Sequence, residues 1–372
     1  MESLFLILLF LSIYSYFIYP LSLFILTKVF RDPWTKEDIR PTISIIVSAY
    51  NEEAVIEEKI RNTLALKYPQ ELLEVIVSSD GSTDRTNEIV TGIKDSRIVL
   101  RAFERLGKTA CLNRVVPEAR GEIVLFTDAN SMFPEDLLIK LVKNFAGPDI
   151  GMVTGWTKYT IPETGEDATG IYSKLEKWTK HWESLISSCV GADGAIFAVR
   201  KFLYQPLCEQ DINDFVIPLH VIKQGKRVIM DPEVFCFEEP SKGAQKAYDR
   251  QVRITTRTLG AIRRNLVFLN TFMFGSFSFF LLSHKVIRML MPFFFVGTLV
   301  TNFLILNISP LYIITLVGQI VFIALGISSL LGVVRGRIAT ICQYFLITFS
   351  AQFIGWIRML GGVQDTIWTP QR

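Results

Sequence analysis

The sequence predicts an α/β domain with a mostly parallel sheet, flanked by apolar segments that are long enough to cross a membrane. Short β-branched runs alternate with helical patterns across residues 40–255, which is typical of βα units. Half of the 372 residues are hydrophobic and 20% are charged, so the apolar residues must be segregated. They concentrate at residues 3–30 and roughly at 289–306, 311–331 and 338–357, each close to the ~20 residues that span a hydrocarbon core.

These segments divide the chain into four parts. We expect an N-terminal membrane anchor at residues 1–33, an α/β domain at 40–255, interfacial helices at 256–284 and about three spans at 285–372. The first segment lacks a cationic n-region and a small-residue cleavage site, which favours a retained anchor over a cleaved signal peptide. Basic residues near the span ends place the α/β domain on the cytoplasmic side of a plasma or inner membrane.

Neither the cysteines nor the charges indicate other classes of protein. The five cysteines form no C-x-x-C pair, so reduced core cysteines are expected. A net charge of +3 without a basic run gives no indication of nucleic-acid binding.

The predicted elements alternate along the α/β domain. Strands are predicted at 43–47, 74–77, 98–101, 123–126, 150–154 and 196–199, and helices at 55–66, from 83 onward, at 108–118, 135–145, 169–187 and from 213 onward. Ligands of open α/β sheets collect outside the carboxyl ends of the strands. The loops that follow these strands are therefore where a site is expected.

Asp128 and Asn130 directly follow the apolar run Ile123–Phe126. Residues at i and i+2 of an extended segment project to the same side, and hard cations prefer oxygen ligands. The pair therefore predicts a divalent-cation site for Mg²⁺ or Mn²⁺. Because one ligand is an amide, phosphates of a substrate would complete the coordination shell.

Three other strand ends carry polar groups. Tyr50 and Glu52 follow the first strand and can hold a base and a ribose, although an ordinary acidic helix start is an alternative. Asp80 ends the second strand and can accept the imide N–H of uracil, whereas Asp84 caps the next helix. Lys108 opens a helix, where its charge opposes the helix dipole, so a diphosphate is expected beside it; a solvated loop lysine is the alternative.

In this order and spacing the segments resemble the membrane-bound family 2 glycosyltransferases of the GT-A fold, the superfamily that includes cellulose, hyaluronan and chitin synthases. The motifs that carry the resemblance are Ser44–Glu53, Ser79–Asp84, Gly107–Asn113, Gly121–Ser131, Tyr172–Glu176, Glu183-Ser184, Gly191–Ala195, Asn213-Asp214, Ser283-His284-Lys285 and Trp368. The resemblance covers essentially the whole chain. It implies a nucleotide-sugar donor, a divalent metal and inversion at the anomeric carbon.

The resemblance also implies roles for individual residues. Asp80 would contact the base, Lys108 the donor and Asp128 the metal, with Asn130 where many members carry a second Asp. Asp214 would be the general base that deprotonates the acceptor, at the start of an apolar helix whose dipole keeps it ionised; a plain helix cap is the alternative. Gly194 would belong to the floor beneath the acceptor, or to a tight turn before the strand at 196–199.

The segment 250–254 departs from the family pattern. Processive members carry Gln-x-x-Arg-Trp, of which only Arg253 is matched, while Arg250 replaces Gln and Ile254 replaces Trp. Arg253 can still pair with a diphosphate and is expected to act in catalysis. Arg250 is expected to bind the substrate or its nucleotide. Loss of the tryptophan removes a stacking surface for an acceptor sugar, which weakens the case for a long-polymer synthase.

The sequence therefore predicts a multi-pass membrane enzyme that transfers a sugar, with UDP-sugar as the expected donor, to a lipid-linked or glycan acceptor at the cytoplasmic membrane face. The alternative is a processive polysaccharide synthase that exports its polymer. A non-catalytic scaffold is a remote third possibility. The expected partners are the donor, the acceptor and membrane lipid, with a homo-oligomer or an assembly partner as a further option.

Overall fold

The computed structural model describes residues 1–161, 164, 166–240 and 243–363. Its strands are β1 (Ile43–Ala49), β2 (Leu73–Asp80), β3 (Ile98–Phe103), β4 (Ile123–Asp128), β5 (Ile150–Tyr159), β6 (Ile196–Arg200) and β7 (Arg227–Glu238). Its α-helices are α1 (Glu2–Ile13), α2 (Tyr19–Leu26), α3 (Ile56–Leu64), α4 (Thr86–Gly92), α5 (Lys108–Glu118), α6 (Leu137–Lys143), α7 (Ile171–Ile186), α8 (Asn213–Lys223), α9 (Ala244–Arg264), α10 (Thr271–Phe274), α11 (Ser276–Leu281), α12 (Ile287–Met289), α13 (Met291–Leu304), α14 (Pro310–Leu330) and α15 (Arg337–Leu360). Two π-helical turns, Tyr14–Ile18 and Leu282–Val286, join α1 to α2 and α11 to α12.

The strands form one sheet in the order β3-β2-β1-β4-β6-β5-β7. All neighbouring strands pair in parallel except β6, which is antiparallel to both β4 and β5. The other six strands therefore share one direction, and their carboxyl ends meet at one edge of the sheet, where ligands are expected. The predicted α/β fold with a mostly parallel sheet is confirmed.

Apolar side chains cover both faces of this sheet, as the nearly unbroken apolar runs in its strands require. One face packs against α3 and α6 through residues such as Ile60 and Leu141. The other face packs against α5 and α8, and this second layer also includes Tyr19 and Leu23 of α2, both 0% exposed. The N-terminal apolar segment is thus partly built into the core of the α/β domain.

Among the described residues, three helices are long and apolar enough to cross a membrane: Glu2–Leu26, Pro310–Leu330 and Arg337–Leu360. A fourth span is possible only if Ser276–Met289 and Met291–Leu304 count together, and these are bent by 60° relative to each other. The apolar stretch predicted at 289–306 is therefore a 14-residue helix, α13, that follows a sharp bend. Trp368, one of the residues in the resemblance, lies outside the described residues.

Two elements near the end of the α/β domain differ from the prediction: β7 is additional, and α9 begins at Ala244, before the helical region expected at 256–284. β7 contains Pro232 between two acidic residues, which hides the alternation of a strand in the sequence. α9 continues through the segment 250–254 and packs on α15, where Gly355 allows close approach: a Cβ atom there would lie 2.7 Å from Thr255 Cβ. The helix α9, which carries site residues, therefore packs on α15, a helix long and apolar enough to cross a membrane.

Candidate active site

A cavity of about 390 Å³ opens at the carboxyl edge of the sheet, beneath α9. The predicted site residues that line it are Glu52, Lys108, Asp128, Asn130, Gly194, Asp214, Arg250 and Arg253. Only Tyr50 and Asp80 of the predicted set are absent from its wall. Residues from β4, α5, α8 and α9 therefore converge on one space, although they are far apart in the sequence.

Asp128 and Lys108 form an ion pair at one end of the cavity, with 2.5 Å between Lys108 Nζ and Asp128 Oδ1. Asp128 is the last residue of β4, and Lys108 is the first residue of α5. Gly107 precedes that helix with φ of 91°, a conformation that glycine adopts without strain. The turn places a cation beside the strand-end carboxylate, which is the arrangement expected around a diphosphate.

Lys59 of α3 hydrogen-bonds to residues on both sides of the Asp128–Asn130 segment. Lys59 is 0% exposed; its Nζ donates to Thr127 Oγ1 at 3.2 Å and also to the carbonyl oxygen of Ser131. The hydroxyl of Ser131 in turn donates to Glu238 Oε1 at 2.5 Å. Both flanks of the Asp128–Asn130 segment are thus fixed by buried polar contacts.

The side chains at this end fit a divalent cation that shares its coordination with substrate phosphates. Asp128 and Asn130 offer one carboxylate and one amide oxygen, and Mg²⁺ commonly takes one or two carboxylates plus phosphate oxygens. No group of three or more His, Cys, Asp or Glu residues arranged for a metal occurs in the part of the chain that the structure describes. Asp128 and Asn130 as metal ligands, completed by substrate phosphates, therefore stay a prediction.

Glu238, at the end of β7, was not singled out from the sequence. It lines the cavity, and burial, reinforced by the negative charges of Asp128 and Asp193, raises its pKa to about 7. Its position at the end of a strand could have identified Glu238, but β7 was not among the predicted strands.

Asp80 and Tyr50 hold a loop in this structure. The Oδ1 atom of Asp80 accepts from the backbone N–H groups of Leu106 and Gly107 at 2.7 and 2.9 Å, and its Oδ2 atom pairs with Arg105. The Arg105 guanidinium also lies 3.3 Å above the ring centroid of Tyr50. Asp80 is 3% exposed, so its predicted contact with a base would need this loop to rearrange; the base-binding role of both residues stays a prediction.

Asp214 lies in the first turn of α8, as predicted. A Cβ atom at Gly194 would be 3.0 Å from Asp214 Oδ2, so an alanine there would require this carboxylate to shift. Burial raises the pKa of Asp214, whereas the charges of Lys108, Lys180 and Lys285 act in the opposite direction. A carboxylate with a raised pKa beside open space has the properties of a general base.

The turn that contains Gly194 is anchored by Asp193, for which the sequence offered no explanation. Asp193 accepts from Thr157 N at 2.9 Å, from Thr157 Oγ1 at 3.0 Å and from Ala195 N at 3.1 Å. Ala192 N donates to the carbonyl oxygen of Asp214 at 2.7 Å. These contacts connect β5, the glycine turn and α8 into one floor.

Asp211, close to Asp214 in sequence, has a structural role. It is 4% exposed and accepts from Cys208 N at 3.0 Å and from Arg264 Nη2 at 2.5 Å. Its carbonyl oxygen accepts from Thr109 Oγ1 and from Arg257. Asp211 therefore attaches α9 to the α5 and α8 side of the cavity, and it does not line the cavity itself.

Three charged residues without a predicted role also line the cavity. Glu176 and Lys285, the latter in the π-helical turn Leu282–Val286, belong to the motifs that carry the resemblance, whereas Lys180 of α7 lies outside them. His284 lies between two carboxylates, with Nδ1 at 2.7 Å from Glu183 Oε1 and Nε2 at 3.0 Å from Glu176. Only the tertiary structure brings this turn to the site.

Residues 44–205 match the family model described as Glycosyl transferase family 2. The chain therefore carries a domain of this family, and the recognition made from its motifs is confirmed, together with the glycosyltransferase class of that domain. Its relatives include the poly-β-1,6-N-acetyl-D-glucosamine synthase of Staphylococcus aureus, which is 26% identical over 204 residues. This match spans 52% of the chain and 49%, about half, of the relative.

Two further proteins match very different shares of the chain. The β-monoglucosyldiacylglycerol synthase of Nostoc is 36% identical over 118 residues, which are 30% of this chain and 25% of that protein. A mannosyltransferase of Pyrobaculum calidifontis, solved in complex with GDP-Man and Mn²⁺, superposes with a TM-score of 0.72 and 22% identity. That superposition covers 96% of this chain and 99% of the other. It confirms the GT-A-type fold.

Proposed function

We propose that this chain transfers a sugar from a nucleotide-sugar to the hydroxyl group of a lipid-linked or glycan acceptor at the cytoplasmic face of a membrane, with inversion. The observation that carries the proposal is the single cavity that joins the Lys108–Asp128 pair to Asp214. An inverting displacement needs a cationic end for the leaving diphosphate and a carboxylate on the opposite, acceptor side. Both are present in one enclosed space.

Each site residue has its own role in the proposed reaction. The acceptor oxygen forms a bond to the anomeric carbon, the bond from that carbon to the diphosphate oxygen breaks, and Asp214 takes the acceptor proton. Lys108 and Arg253 bind the nucleoside diphosphate as it leaves. Asp128 and Asn130 would hold Mg²⁺ or Mn²⁺, which supplies charge stabilisation for the diphosphate when it is bound.

The donor is proposed to be a UDP-sugar. The Staphylococcus aureus relative makes a polymer of N-acetylglucosamine, and the Nostoc relative makes a glucosyl lipid, whereas the structural neighbour contains GDP-Man. A GDP-sugar is therefore the direct competitor. A panel of labelled UDP- and GDP-sugars with the full chain in a membrane mimetic, with Mn²⁺ or Mg²⁺, distinguishes them.

The same panel tests the catalytic proposal. Asp214→Asn is expected to abolish incorporation of label while leaving nucleotide binding nearly intact, because a base on the acceptor side does not contact the nucleotide. Loss of nucleotide affinity in this variant would contradict the assignment. Absence of incorporation with every donor, in a protein that binds neither UDP nor GDP with Mn²⁺, would reject the function as a whole.

A processive polysaccharide synthase is the second candidate. The Staphylococcus aureus relative has that activity by its name, and the helices that could cross a membrane number three or four in the described part of the chain. Against it stands Ile254, which lines the cavity where processive members carry tryptophan. A polydisperse, water-soluble product would establish this alternative, whereas a discrete, lipid-extractable product would establish single addition.

A further inference from the structure

We propose that the membrane-side end of the cavity is a phosphate subsite, formed by Lys285 and Lys180, for a lipid acceptor whose head group carries a free hydroxyl beside the phosphate. The inference rests on the proposed function, because the hydroxyl would be the group that Asp214 deprotonates. It adds a substrate class and two binding residues, one of which comes from outside the family 2 match at residues 44–205.

Lys285 reaches the cavity from the π-helical turn that lies within Ser276–Met289, the first of the two bent apolar helices. Its Cε atom lies 3.9 Å from the Cβ position of Gly191, and its charge acts on both Asp214 and Lys180. Lys180, on α7, is 7% exposed and donates to the carbonyl oxygen of Ala192 at 3.1 Å. Two ammonium groups from different parts of the chain therefore face the acceptor floor.

The acidic residues behind Lys285 are already paired with other groups. Glu176 accepts from Arg288 Nη1 at 2.6 Å and contacts His284 Nε2 at 3.0 Å. Glu183 contacts His284 Nδ1 at 2.7 Å and also accepts hydrogen bonds from the Tyr19 hydroxyl and from Val190 N. Lys180 is near Glu176, at 3.7 Å, but Lys285 makes no hydrogen bond and no ion pair with any described residue.

An ammonium group placed in a half-buried wall without a partner is unfavourable, and an anion from the substrate removes that cost. A phosphate is suited to the position, because its several acceptor oxygens can bind two ammonium groups at once. The diphosphate of the donor is expected beside the Lys108–Asp128 pair, so it does not fill this need. Asp214 is influenced by the charges of both Lys108 and Lys285.

The wall at this end favours a lipid over a soluble phosphate. Tyr172 lines the cavity, and its ring packs 5.6 Å from that of Tyr344 on α15 and 6.3 Å from that of Tyr16 in the N-terminal apolar segment. Both partners belong to helices long and apolar enough to cross a membrane. A lipid held in the bilayer could therefore present its head group to Lys285 without leaving the apolar helices.

The test measures lipid binding by the full chain in dodecyl maltoside micelles, which contain no phosphate. Phosphatidylglycerol, which has a phosphate and free hydroxyls, is titrated against diacylglycerol as the phosphate-free control, with bound lipid counted by native mass spectrometry. Phosphatidylglycerol is expected to bind more tightly. Lys285→Met should raise its Kd about tenfold or more, the size of effect expected for a hydrogen bond to a charged group, whereas Lys285→Arg should largely retain binding.

Lys28→Met is the matched control, because Lys28 is an exposed lysine at the end of the N-terminal apolar segment. Equal losses in Lys28→Met and Lys285→Met would show general attraction to an anionic surface and overturn the proposal. Equal binding of both lipids would overturn it as well. Displacement of phosphatidylglycerol by inorganic phosphate at matching concentration would assign the subsite to a soluble phosphate and reject the lipid acceptor.

Nucleotide binding separates this inference from the proposed function. UDP and GDP affinities with Mn²⁺ are measured by calorimetry on the wild type and on Lys285→Met, and both proteins are expected to bind equally well. A wild type that binds no nucleotide would reject the function, not the subsite alone. Weaker nucleotide binding in Lys285→Met would place Lys285 at the donor end and reject the subsite.

Discussion

Gly194 and Asp214 face each other so closely that a Cβ atom at position 194 would lie 3.0 Å from Asp214 Oδ2. The two residues come from different elements, the turn before β6 and the first turn of α8. A side chain at position 194 would therefore press on this carboxylate. It also provides a way to displace the proposed base without altering its chemistry.

Gly194→Ala is expected to lower kcat by about tenfold to a hundredfold, because misplacing a catalytic group by a few tenths of an ångström to 1 Å is costly. Nucleotide binding should change little. Initial-rate kinetics with the preferred donor measures the effect. Gly92→Ala is the control, because a Cβ atom at Gly92 has no neighbour within 4 Å; equal rates in the two variants would show that the contact is unimportant.

The pH dependence of transfer should follow the ionisation of Asp214. A base acts when deprotonated, and burial raises its pKa, so the acid limb of kcat/KM should lie above the ordinary aspartate value of about 4. Activity is lost as the pH falls through that limb. Lys180→Met removes a charge that lowers this pKa, so the limb should move to higher pH; a limb that moves the other way would argue against Asp214 as the titrating base.

Asp128→Ala is expected to weaken metal-dependent binding of the nucleotide diphosphate by about tenfold or more. The variant also leaves Lys108 without the partner seen at 2.5 Å, which by itself would favour an anion. Calorimetry with and without Mn²⁺ therefore separates the two effects. Unchanged affinity in Mn²⁺ would remove Asp128 from the metal site.

Arg253→Ala should slow transfer while the fold is retained, because Arg253 lines the cavity and is only half-buried. We expect about a tenfold to hundredfold loss, the range for removal of a charge-stabilising group. Thermal unfolding checks that the protein remains intact. Full activity would exclude Arg253 from the site.

Lys59 gives a prediction about stability. Burial lowers its pKa to about 7, so between about pH 7 and the ordinary lysine value of about 10.5 the unfolded chain binds a proton that the folded chain does not. Lys59 therefore makes the free energy of unfolding rise with pH across that window. The same contribution lowers the free energy of unfolding as the pH falls towards 7. Lys59→Met should remove this contribution.

The measurement is the midpoint of thermal unfolding at pH 7 and pH 9, compared between wild type and variants. The wild type should gain stability relative to Lys59→Met over that interval, whereas Lys94→Met, which alters an exposed lysine, should parallel the wild type. Parallel curves for all three would contradict the lowered pKa. Because Lys59 also holds the Asp128 loop, Lys59→Met should weaken Mn²⁺-dependent nucleotide binding.

Local sequence patterns predicted most strands of the sheet and the positions of several site residues. The run Ile123–Phe126 predicted β4, and with it the placement of Asp128 at the carboxyl edge. The same reasoning placed Lys108 at the start of α5 and Asp214 at the start of α8. β7 was missed because Pro232 interrupts its pattern, and Glu238 was missed with it.

What the sequence by itself determined is the α/β class, the order of strand-end motifs and the presence of long apolar helices. These depend on periodicity and on residues adjacent in the chain, so they are visible without coordinates. Only the tertiary structure decided that β6 runs antiparallel between β4 and β5, that Asp80 is engaged by the loop at 105–107, and that Lys285 enters the site. His284 meets Glu176 across 108 residues of chain, and no local pattern specifies such a contact, because it depends on how separate faces pack together.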